Sequence, residues 1–291
     1  MGKKRTKRGR KKSASFNWGL ILIGFVLGFA AAFVVLKYGV MVSAPPDMTA
    51  SVKEAGPPHK EPLPAGKVSS PAAKVAILID DMGGSITRLN EILSIGSPIT
   101  ISVLPHLKHS REVSRIAALS GHDVLVHLPM EPKNSAVNHA GRGVLLTAMT
   151  GPLITKTVIE DLQSVPDAIG ANNHMGSRFT ENEAGMRTVF TVLKERGLFF
   201  VDSRTTSASI GPRLAADTGI RHAERDVFLD NERDVNYIDG QLKILVDIAR
   251  KRGSAIAIGH PYPETLAALQ EMIPLMEASA IEVVPVSELI R

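Results

Sequence analysis

Short apolar runs alternate with amphipathic segments along residues 74–291, and this alternation constrains the fold more than any other feature. Runs such as VAILID (75–80), ITISVL (99–104) and SAIAIG (254–259) are each followed by a segment with the length and periodicity of a helix. Strands that alternate with helices form parallel sheets, because each helix returns the chain to the starting edge. The segment has about 218 residues, which is enough for one sizeable core.

Seven or eight such units predict an α/β fold, an irregular (β/α)7–8 barrel over residues 74–291. The predicted strands are 75–80, 99–104, 123–128, 168–173, 198–202, 219–223, 254–259 and 281–286. The predicted helices are 86–94, 109–119, 153–164, 181–196, 211–217, 235–251 and 263–278. A doubly wound open sheet is the alternative. The sequence lacks the nucleotide-binding motifs typical of that fold. No GxGxxG follows the first strand, and no GxxxxGK[ST] occurs.

An apolar segment near the N-terminus, WGLILIGFVLGFAAAFVVL (18–36), predicts a transmembrane anchor. Its 19 residues carry no charge, and as a helix they would span roughly 30 Å, the hydrocarbon thickness of a bilayer. A cleavable signal peptide is the alternative, but the segment ends in Leu36 and continues with Lys37 and Tyr38, which do not form a small-residue cleavage site. We therefore expect an uncleaved, single-pass anchor in the lipid bilayer.

The basic tail at residues 1–17 predicts the orientation of this anchor. Residues 1–12 contain eight Lys or Arg and no acid, so the N-terminus is expected to stay in the cytoplasm. The following residues, 37–73, are rich in proline and read as a linker. The domain at 74–291 is then expected on the periplasmic, extracytoplasmic side of a bacterial inner membrane.

Composition excludes two classes of function. The net charge of +5 arises in the tail, since the rest of the chain has 26 basic and 29 acidic residues. A nucleic-acid partner is therefore not expected. The chain has no cysteine, which excludes disulfides, thiolate metal ligands and a cysteine nucleophile.

Polar residues collect where the predicted strands end. They are Asp80, Asp81, His106, His127, Asn172, Asn173, His174, Asp202, Ser203, Arg204 and His260. In a parallel barrel the carboxyl ends of the strands share one face, and that face carries the active site. Aspartate and neutral imidazole suit zinc or a similar divalent metal. The sequence therefore predicts a divalent metal site, with Zn²⁺ preferred.

The adjacent carboxylates Asp80 and Asp81 suit two different tasks. One could bind a metal while the other acts as a base; alternatively, Asp81 caps a turn before the next helix. His127 shares a strand face with Leu125 by alternation, and a hydrogen-bonded core histidine is the alternative for it.

The remaining candidates also have plain structural interpretations. His174 lies in a polar segment and could be a loop residue or a cap. Asp202 could orient a ligand histidine or an arginine, or it could cap a strand end. His260 could be a general acid or a turn histidine. Residues 224–226 (Glu-Arg-Asp) are interpreted as a charged turn.

Several segments together resemble the divergent branch of the polysaccharide deacetylases, which carry the nodulation-type homology domain. ILIDDMG (77–83), GHDVLVH (121–127) and AIAIGHP (255–261) are similar to three motifs of that family. The segments HLPMEP, NNHMGS, VDSRT and RDVFLDN resemble the divergent branch. The resemblance covers residues 74–291.

The resemblance implies a distorted barrel of the polysaccharide deacetylase type, a divalent metal that is often zinc, and hydrolysis of acetyl groups on a polysaccharide. It implies Asp80 as the base, Asp81 and His127 as metal ligands, and His260 as the acid. The family has another ligand histidine four residues after the first, where this chain has Glu131.

His174 is the expected replacement for that missing ligand, and Glu131 is the alternative. Asn173, Asp202 and Arg204 are expected to support the ligands or to contact the substrate. These assignments stay hypotheses at this point, since they rest on the resemblance and on the strand-end positions.

The function expected from these observations is a membrane-anchored, metal-dependent carbohydrate deacetylase that acts on an acylated polysaccharide or envelope glycan. The alternative is a weakly active or inactive module of the same fold that binds an envelope glycan or an envelope protein partner. The family usually has a motif containing Arg-Pro, which is not evident in this chain; this absence and the altered ligand set favour the alternative. Residues 74–291 also lack tryptophan, so stacking on a sugar would need other groups.

Overall fold

Strand β1 lies in the middle of a curled parallel sheet in the computed structural model, which describes residues 73–135 and 139–291. The strands described there are β1 (Ala73–Met82), β2 (Thr100–Val103), β3 (Val124–Met130), β4 (Gly170–Met175), β5 (Phe199–Asp202), β6 (His222–Glu224), β7 (Val227–Phe228), β8 (Ser254–Gly259) and β9 (Ile281–Val283). Their order is β6-β5-β4-β3-β2-β1-β8-β7, and β9 pairs with the start of β1. Every pairing between these strands is parallel.

Amphipathic helices connect the strands and cover the convex face of the sheet. The helices in the described residues are α1 (Ile86–Leu93), α2 (Ser110–Leu119), α3 (Gly151–Ser164), α4 (Glu183–Glu195), α5 (Gly211–Thr218), α6 (Val235–Arg252) and α7 (Pro263–Ala278). Polar side chains cap three of them. Ser85, Asn182 and Asp234 accept hydrogen bonds from the first-turn amides of α1, α4 and α6.

The two faces of β1 enter two different apolar clusters, because successive side chains of a strand point to opposite sides. Val75, Ile77 and Ile79 belong to the large cluster between the sheet and the helices. Ala76 and Leu78 belong to a smaller cluster on the concave face. Burial of each large side chain contributes roughly 1.5–3 kcal/mol. This packing on both faces explains why β1 is a continuous apolar run.

The two ends of the sheet curl toward each other around the segment between β6 and β7. The amide of Arg225 donates to the carbonyl of Asp202 on β5 at 3.0 Å. The amide of the next residue, Asp226, donates to the carbonyl of Ile256 on β8 at 2.9 Å. We call residues 224–227 the seam, since they link β5 to β8.

The predicted parallel α/β architecture is confirmed, in the form of a curled half-barrel with helices between its strands. One predicted strand is misplaced. The strand predicted at 219–223 begins only at His222, as β6, because Gly219 ends α5 in the left-handed conformation (φ 67°). The last predicted strand, 281–286, ends at Val283 and is followed by a 3-10 helix at Val286–Leu289.

The predicted tail, anchor and most of the linker (1–17, 18–36 and 37–73) lie outside the described residues. Within residues 73–135 and 139–291, the helices are all too short or too polar to cross a bilayer.

Candidate metal centre and active site

The concave face changes from apolar to polar at the carboxyl end of the sheet. The pairs of successive inward positions are Leu78 and Asp80 on β1, Leu125 and His127 on β3, Val201 and Ser203 at β5, and Ile258 and His260 at β8. Since the strands are parallel, these polar side chains collect at one edge. The apolar residues beneath them close the concave face.

Asp81, His127 and His174 form a group whose ligand atoms all lie within 4.8 Å of one another. Asp81 Oδ1 is 3.0 Å from His174 Nδ1 and 3.4 Å from His127 Nε2. His174 Nδ1 and His127 Nε2 are 3.2 Å apart. One carboxylate and two imidazoles form a donor set that suits a divalent cation such as zinc.

The hydrogen bonding around Asp81 fits a cation at this position. Within the described residues, its buried Oδ1 atom makes no hydrogen bond of acceptable geometry, although two imidazole nitrogens are near. Burial raises the pKa of Asp81, but His127 and His174 outweigh burial and hold that pKa well below its usual range. The carboxylate therefore stays ionised and available to a metal ion.

Asp80 belongs to a buried polar network centred on Asn172. The side chain of Asn172 donates to Asp80 Oδ1 at 2.8 Å and to Ser203 Oγ at 3.2 Å. Its Oδ1 atom accepts from Ser102 Oγ and lies 2.8 Å from His127 Nδ1. Asp80 Oδ2 lies 3.4 Å from His127 Nε2. The network holds Asp80 beside the three candidate ligands.

His127 is buried, and its pKa reflects these neighbours. Burial lowers the pKa of His127, while the charges of Asp80 and Asp81 and the bond to Asn172 raise it by more. The net direction is upward. A site with two carboxylates around one buried imidazole thus favours positive charge, whether a proton or a metal ion supplies it.

His260 faces the same centre from the other side. Its Nε2 atom is 3.7 Å from Asp81 Oδ2, and its Nδ1 atom is 2.9 Å from Asp230 Oδ1. Asp230 Oδ2 accepts hydrogen bonds from the His260 amide at 2.6 Å and from Thr265 Oγ1 at 2.7 Å. Burial lowers the pKa of His260, but Asp230 and the acids of the centre raise it above its ordinary value.

Unusual backbone geometry accompanies the site. Asp81, Met175 and Arg204, each at or just after the end of a strand, have φ angles of 57°, 54° and 52°. Such left-handed conformations are uncommon outside glycine and often occur at functional sites. In a regular strand, the neighbouring side chains of Asp80 and Asp81 would point to opposite faces. The left-handed backbone at Asp81 lets both side chains reach the same site.

A small pocket opens beside Asp81. Its volume is about 190 Å³, and its walls include Met82, Gly84, Arg88 and Pro261. The partly exposed Asp81 side chain therefore lies where a small substituent of a larger ligand can reach it.

The structure does not bring Glu131 into the ligand group. The backbone amide and the hydroxyl of Thr147 each donate to Glu131 Oε2 at 2.7 Å. The Arg178 guanidinium lies 3.4 Å from Glu131 Oε1. Burial raises the pKa of Glu131, but these donors outweigh it and lower the pKa. Its carboxylate thus fastens the loop after β3.

Asn173, Asp202 and Arg204 lie near the centre without contacting its ligands. Asn173 donates to the carbonyl two residues ahead at 2.8 Å. Asp202 accepts from the Arg204 amide at 2.8 Å and from Ser209 Oγ at 2.6 Å. The Arg204 side chain pairs with Glu224 at 2.9 Å. The described contacts of all three shape the loop after β5.

Sequence reasoning placed Asn172 at a strand end without giving it a role, and it missed Asp230 and Arg225. Alternation from His174 places Asn172 on the inward face, so periodicity carried that signal. Asp230 follows β7, which is too short to show a pattern. Arg225 lies in the segment interpreted as a charged turn, yet its side chain donates to the carbonyls of Ser203 at 2.7 Å and Arg204 at 3.0 Å. It therefore braces the seam.

The fold and the Asp/His group together define a deacetylase-type α/β protein with a candidate metal site. The family model described as divergent polysaccharide deacetylase matches residues 77–290. The chain therefore belongs to the divergent polysaccharide deacetylase family.

Two curated proteins are similar to this chain in sequence. The uncharacterized protein YibQ of Escherichia coli K12 is 40% identical over 208 residues, which are 71% of this chain and 65% of that protein. An uncharacterized protein of Haemophilus influenzae is 38% identical over 198 residues, which are 68% of this chain and 70% of that protein. The chain thus spans about two thirds of the length of the curated relatives it matches.

A solved structure supports the fold. The crystal structure of an uncharacterized protein from Agrobacterium tumefaciens C58 has a TM-score of 0.72 and 25% sequence identity. The match covers 75% of this chain and 89% of that chain.

Proposed function

We propose that this protein is a metal-dependent deacetylase that hydrolyses acyl groups on an envelope polysaccharide. The main support is that the ligand atoms of Asp81, His127 and His174 all lie within 4.8 Å of one another. Asp80 and His260 flank this group. In a deacetylase family, this arrangement supplies candidate ligands, a base and an acid at one edge of the sheet. We further propose that the sheet forms the irregular barrel typical of these enzymes.

Asp81, His127 and His174 would hold a divalent metal ion, with zinc favoured by the two imidazoles. When bound, such an ion supplies Lewis-acid chemistry by polarising the acyl carbonyl of the substrate. Asp80 accepts the proton of the attacking water, since Asn172 holds one of its oxygens and leaves the other facing the centre.

His260 donates a proton to the leaving nitrogen or oxygen of the sugar. Asp230 accepts a hydrogen bond from Nδ1 and thereby orients the ring so that Nε2 points toward the centre. The two protons of the reaction thus have separate carriers on opposite sides of Asp81. The substrate class is an acylated polysaccharide, and an N-acetyl or O-acetyl group is the reacting part.

The test is metal content and acetate release by the full-length protein. We expect stoichiometric metal and release of acetate from at least one member of a panel of N-acetylated and O-acetylated oligosaccharides. Asp81→Asn and His174→Gln should lose the metal. Asp80→Asn should keep it and lower turnover at least about 100-fold.

Glu131→Gln is the matched control, because it alters an acid near the centre that contacts Thr147 instead. It should retain metal and turnover. Metal without acetate release from any substrate would contradict the enzyme and favour a glycan-binding or protein-binding module. Loss of metal in Glu131→Gln alone would contradict the ligand assignment.

The chain's place in the cell is part of the proposal. A single-pass anchor at 18–36 would hold the domain on the periplasmic side of an inner membrane, where envelope glycans are accessible. The length and apolar character of the segment and the basic tail before it support this topology.

A further inference from the structure

We propose that Asn172 is a positioning residue that fixes the imidazole of His127, so that Nε2 presents its lone pair to the metal position and Nδ1 carries the proton. The inference deepens the proposed function and rests on it. Asn172 lies on β4, directly opposite His127 in the parallel pairing of β3 and β4.

The side-chain amide of Asn172 is fully buried, and its hydrogen-bonding groups are all engaged. Nδ2 donates to Asp80 Oδ1 and to Ser203 Oγ, while Oδ1 accepts from Ser102 Oγ and faces His127 Nδ1. An amide bonded on every side cannot rotate without leaving buried polar atoms unpaired.

The chemistry of the partners decides which way the amide points. An ionised carboxylate only accepts hydrogen bonds, so the NH₂ group of Asn172 must face Asp80. Its carbonyl oxygen then faces His127 Nδ1 at 2.8 Å. A carbonyl oxygen only accepts, so His127 Nδ1 must carry a hydrogen.

The other ring nitrogen of His127, Nε2, is therefore the one available to bind a metal at the centre. With the proton on Nδ1, neutral His127 has its lone pair on Nε2, which lies 3.4 Å from Asp81 Oδ1 and 3.2 Å from His174 Nδ1. The ring is held as a ligand before any metal arrives. Histidine ligands in metal sites are commonly oriented in this manner by the group bonded to the other ring nitrogen.

Asn172 also couples the proposed base to the proposed ligand. The same amide holds Asp80 through Nδ2 and His127 through Oδ1, so the separation of the two side chains is set by one rigid planar group. Replacing the amide by a carboxylate would keep the acceptor for His127 and remove the donor for Asp80. The two tasks of Asn172 can therefore be separated by substitution.

The test measures the affinity for Zn²⁺ alone, by competition against a chromophoric chelator, together with ¹⁵N NMR of the His127 ring in the full-length protein before zinc is added. Asn172→Leu should weaken zinc binding about 10–100-fold and abolish the single Nδ1–H tautomer of His127. Asn172→Asp should keep zinc affinity within about threefold and keep the tautomer, since a carboxylate also accepts from Nδ1. Its turnover should fall, because Asp80 has lost its donor.

Asn173→Leu is the matched control, because Asn173 is the neighbouring buried asparagine of β4 and contacts a loop instead. It should lose stability while zinc affinity and the His127 tautomer stay unchanged. If Asn172→Leu does not fold, Asn172→Ser replaces it, since the shorter side chain cannot reach both partners.

Unchanged zinc affinity and an unchanged tautomer in the folded Asn172→Leu or Asn172→Ser variant would overturn the inference, and so would a parent protein that binds no zinc. Asn172-dependent zinc binding by a parent that releases no acyl group would support the inference and overturn the proposed deacetylase activity. The two failures are thus distinguishable.

Discussion

Asp230 holds His260 by two hydrogen bonds, one of 2.9 Å to the ring Nδ1 and one of 2.6 Å to the backbone amide. A carboxylate that is hydrogen-bonded to both the ring and the backbone of a histidine fixes the position and the tautomer of that ring. We expect Asp230→Asn to lower turnover at least about 10-fold with metal content unchanged, because an amide can donate to Nδ1 and so reverse the tautomer.

Steady-state kinetics and metal analysis of Asp230→Asn measure this effect. Thr265→Val is the control, since it removes one bond to Asp230 and leaves His260 in contact with it. Equal turnover in Asp230→Asn and the parent protein would mean that His260 does not transfer the proton.

A second acid–imidazole pair lies away from the centre and predicts how stability depends on pH. His106 Nε2 is 2.7 Å from Asp161 Oδ1. Burial, with a contribution from Glu160, raises the pKa of Asp161 to about 8. Burial and Arg142 lower the pKa of His106 below its ordinary 6.5. The folded pair therefore keeps one proton up to about pH 8.

In the unfolded chain Asp161 is ionised above its ordinary pKa of 3.8, and His106 loses its proton near pH 6.5. Between about pH 6.5 and 8 the folded state thus binds one proton more, so the free energy of unfolding falls as pH rises. At about 1.4 kcal/mol per pH unit, the pair contributes a fall of up to about 2 kcal/mol.

Urea unfolding at pH 6.5 and pH 8 tests this dependence in the parent protein and in Asp161→Asn. The asparagine can donate to His106 Nε2 and has no titrating proton, so the variant should lose this part of the slope. A pH dependence identical in the two proteins would contradict the assignment.

Two adjacent glycines after β1 should respond differently to alanine. Gly83 has φ 114°, and an added Cβ would lie 3.2 Å from the carbonyl oxygen of Leu104 and 3.0 Å from Ser110 Oγ. Gly84 has no atom within 4 Å of an added Cβ. We expect Gly83→Ala to lower the free energy of unfolding by about 1–3 kcal/mol and Gly84→Ala by less than about 0.5 kcal/mol.

Equilibrium unfolding of the two variants provides the comparison. Gly84→Ala serves as the internal control, since it changes the same turn by the same methyl group. Equal losses in both variants would mean that the left-handed backbone at Gly83 is not required.

The proposed topology can be tested with introduced cysteines, because the chain has none of its own. Ser51→Cys in the linker should react with a membrane-impermeant maleimide in spheroplasts. Ser13→Cys in the basic tail should react only after lysis. Labelling of Ser13→Cys in intact spheroplasts would reverse the orientation, and labelling of neither would place residue 51 in the cytoplasm.

Much of the fold follows from the sequence because periodicity and strand–helix alternation are local properties. The strands around Leu78, Leu125 and Ile258 were predictable from their apolar runs, as was the polar character of the next inward position. The seam was not predictable, because β6 and β7 have only three and two residues. Their pairing with distant β5 and β8 depends on the curl of the sheet.

The candidate site, like the fold, was predictable only in part. Asp80, His127 and His260 occupy inward positions by alternation, so their proximity follows from the pattern. Asp81 follows Asp80 and would point away from the concave face in a regular strand. It reaches the centre only because its backbone is left-handed, with φ 57°. No periodicity carries that information, and the resemblance to a family was needed to assign the metal to Asp81 and the role of base to Asp80.

The side chains that support the candidate ligands were the hardest to predict. Asn173 was given a supporting role, whereas alternation from His174 places Asn172 on the inward face beside His127. Asp202 was a candidate for orienting a histidine, but its described partners lie in the next loop. Asp230 is the residue that orients a histidine, His260. It follows β7, which is too short to be predicted from a sequence pattern.

The central place of β1 has a consequence for biosynthesis. β1 leaves the ribosome before any other strand of the domain, yet one of its edges pairs with β8, which is made about 180 residues later. Until then that edge exposes unpaired amides and carbonyls, the feature that promotes aggregation of sheets. A nascent or truncated chain lacking residues 254–283 would therefore be expected to need a chaperone, and Asp81 would meet His260 only after β8 has been translated.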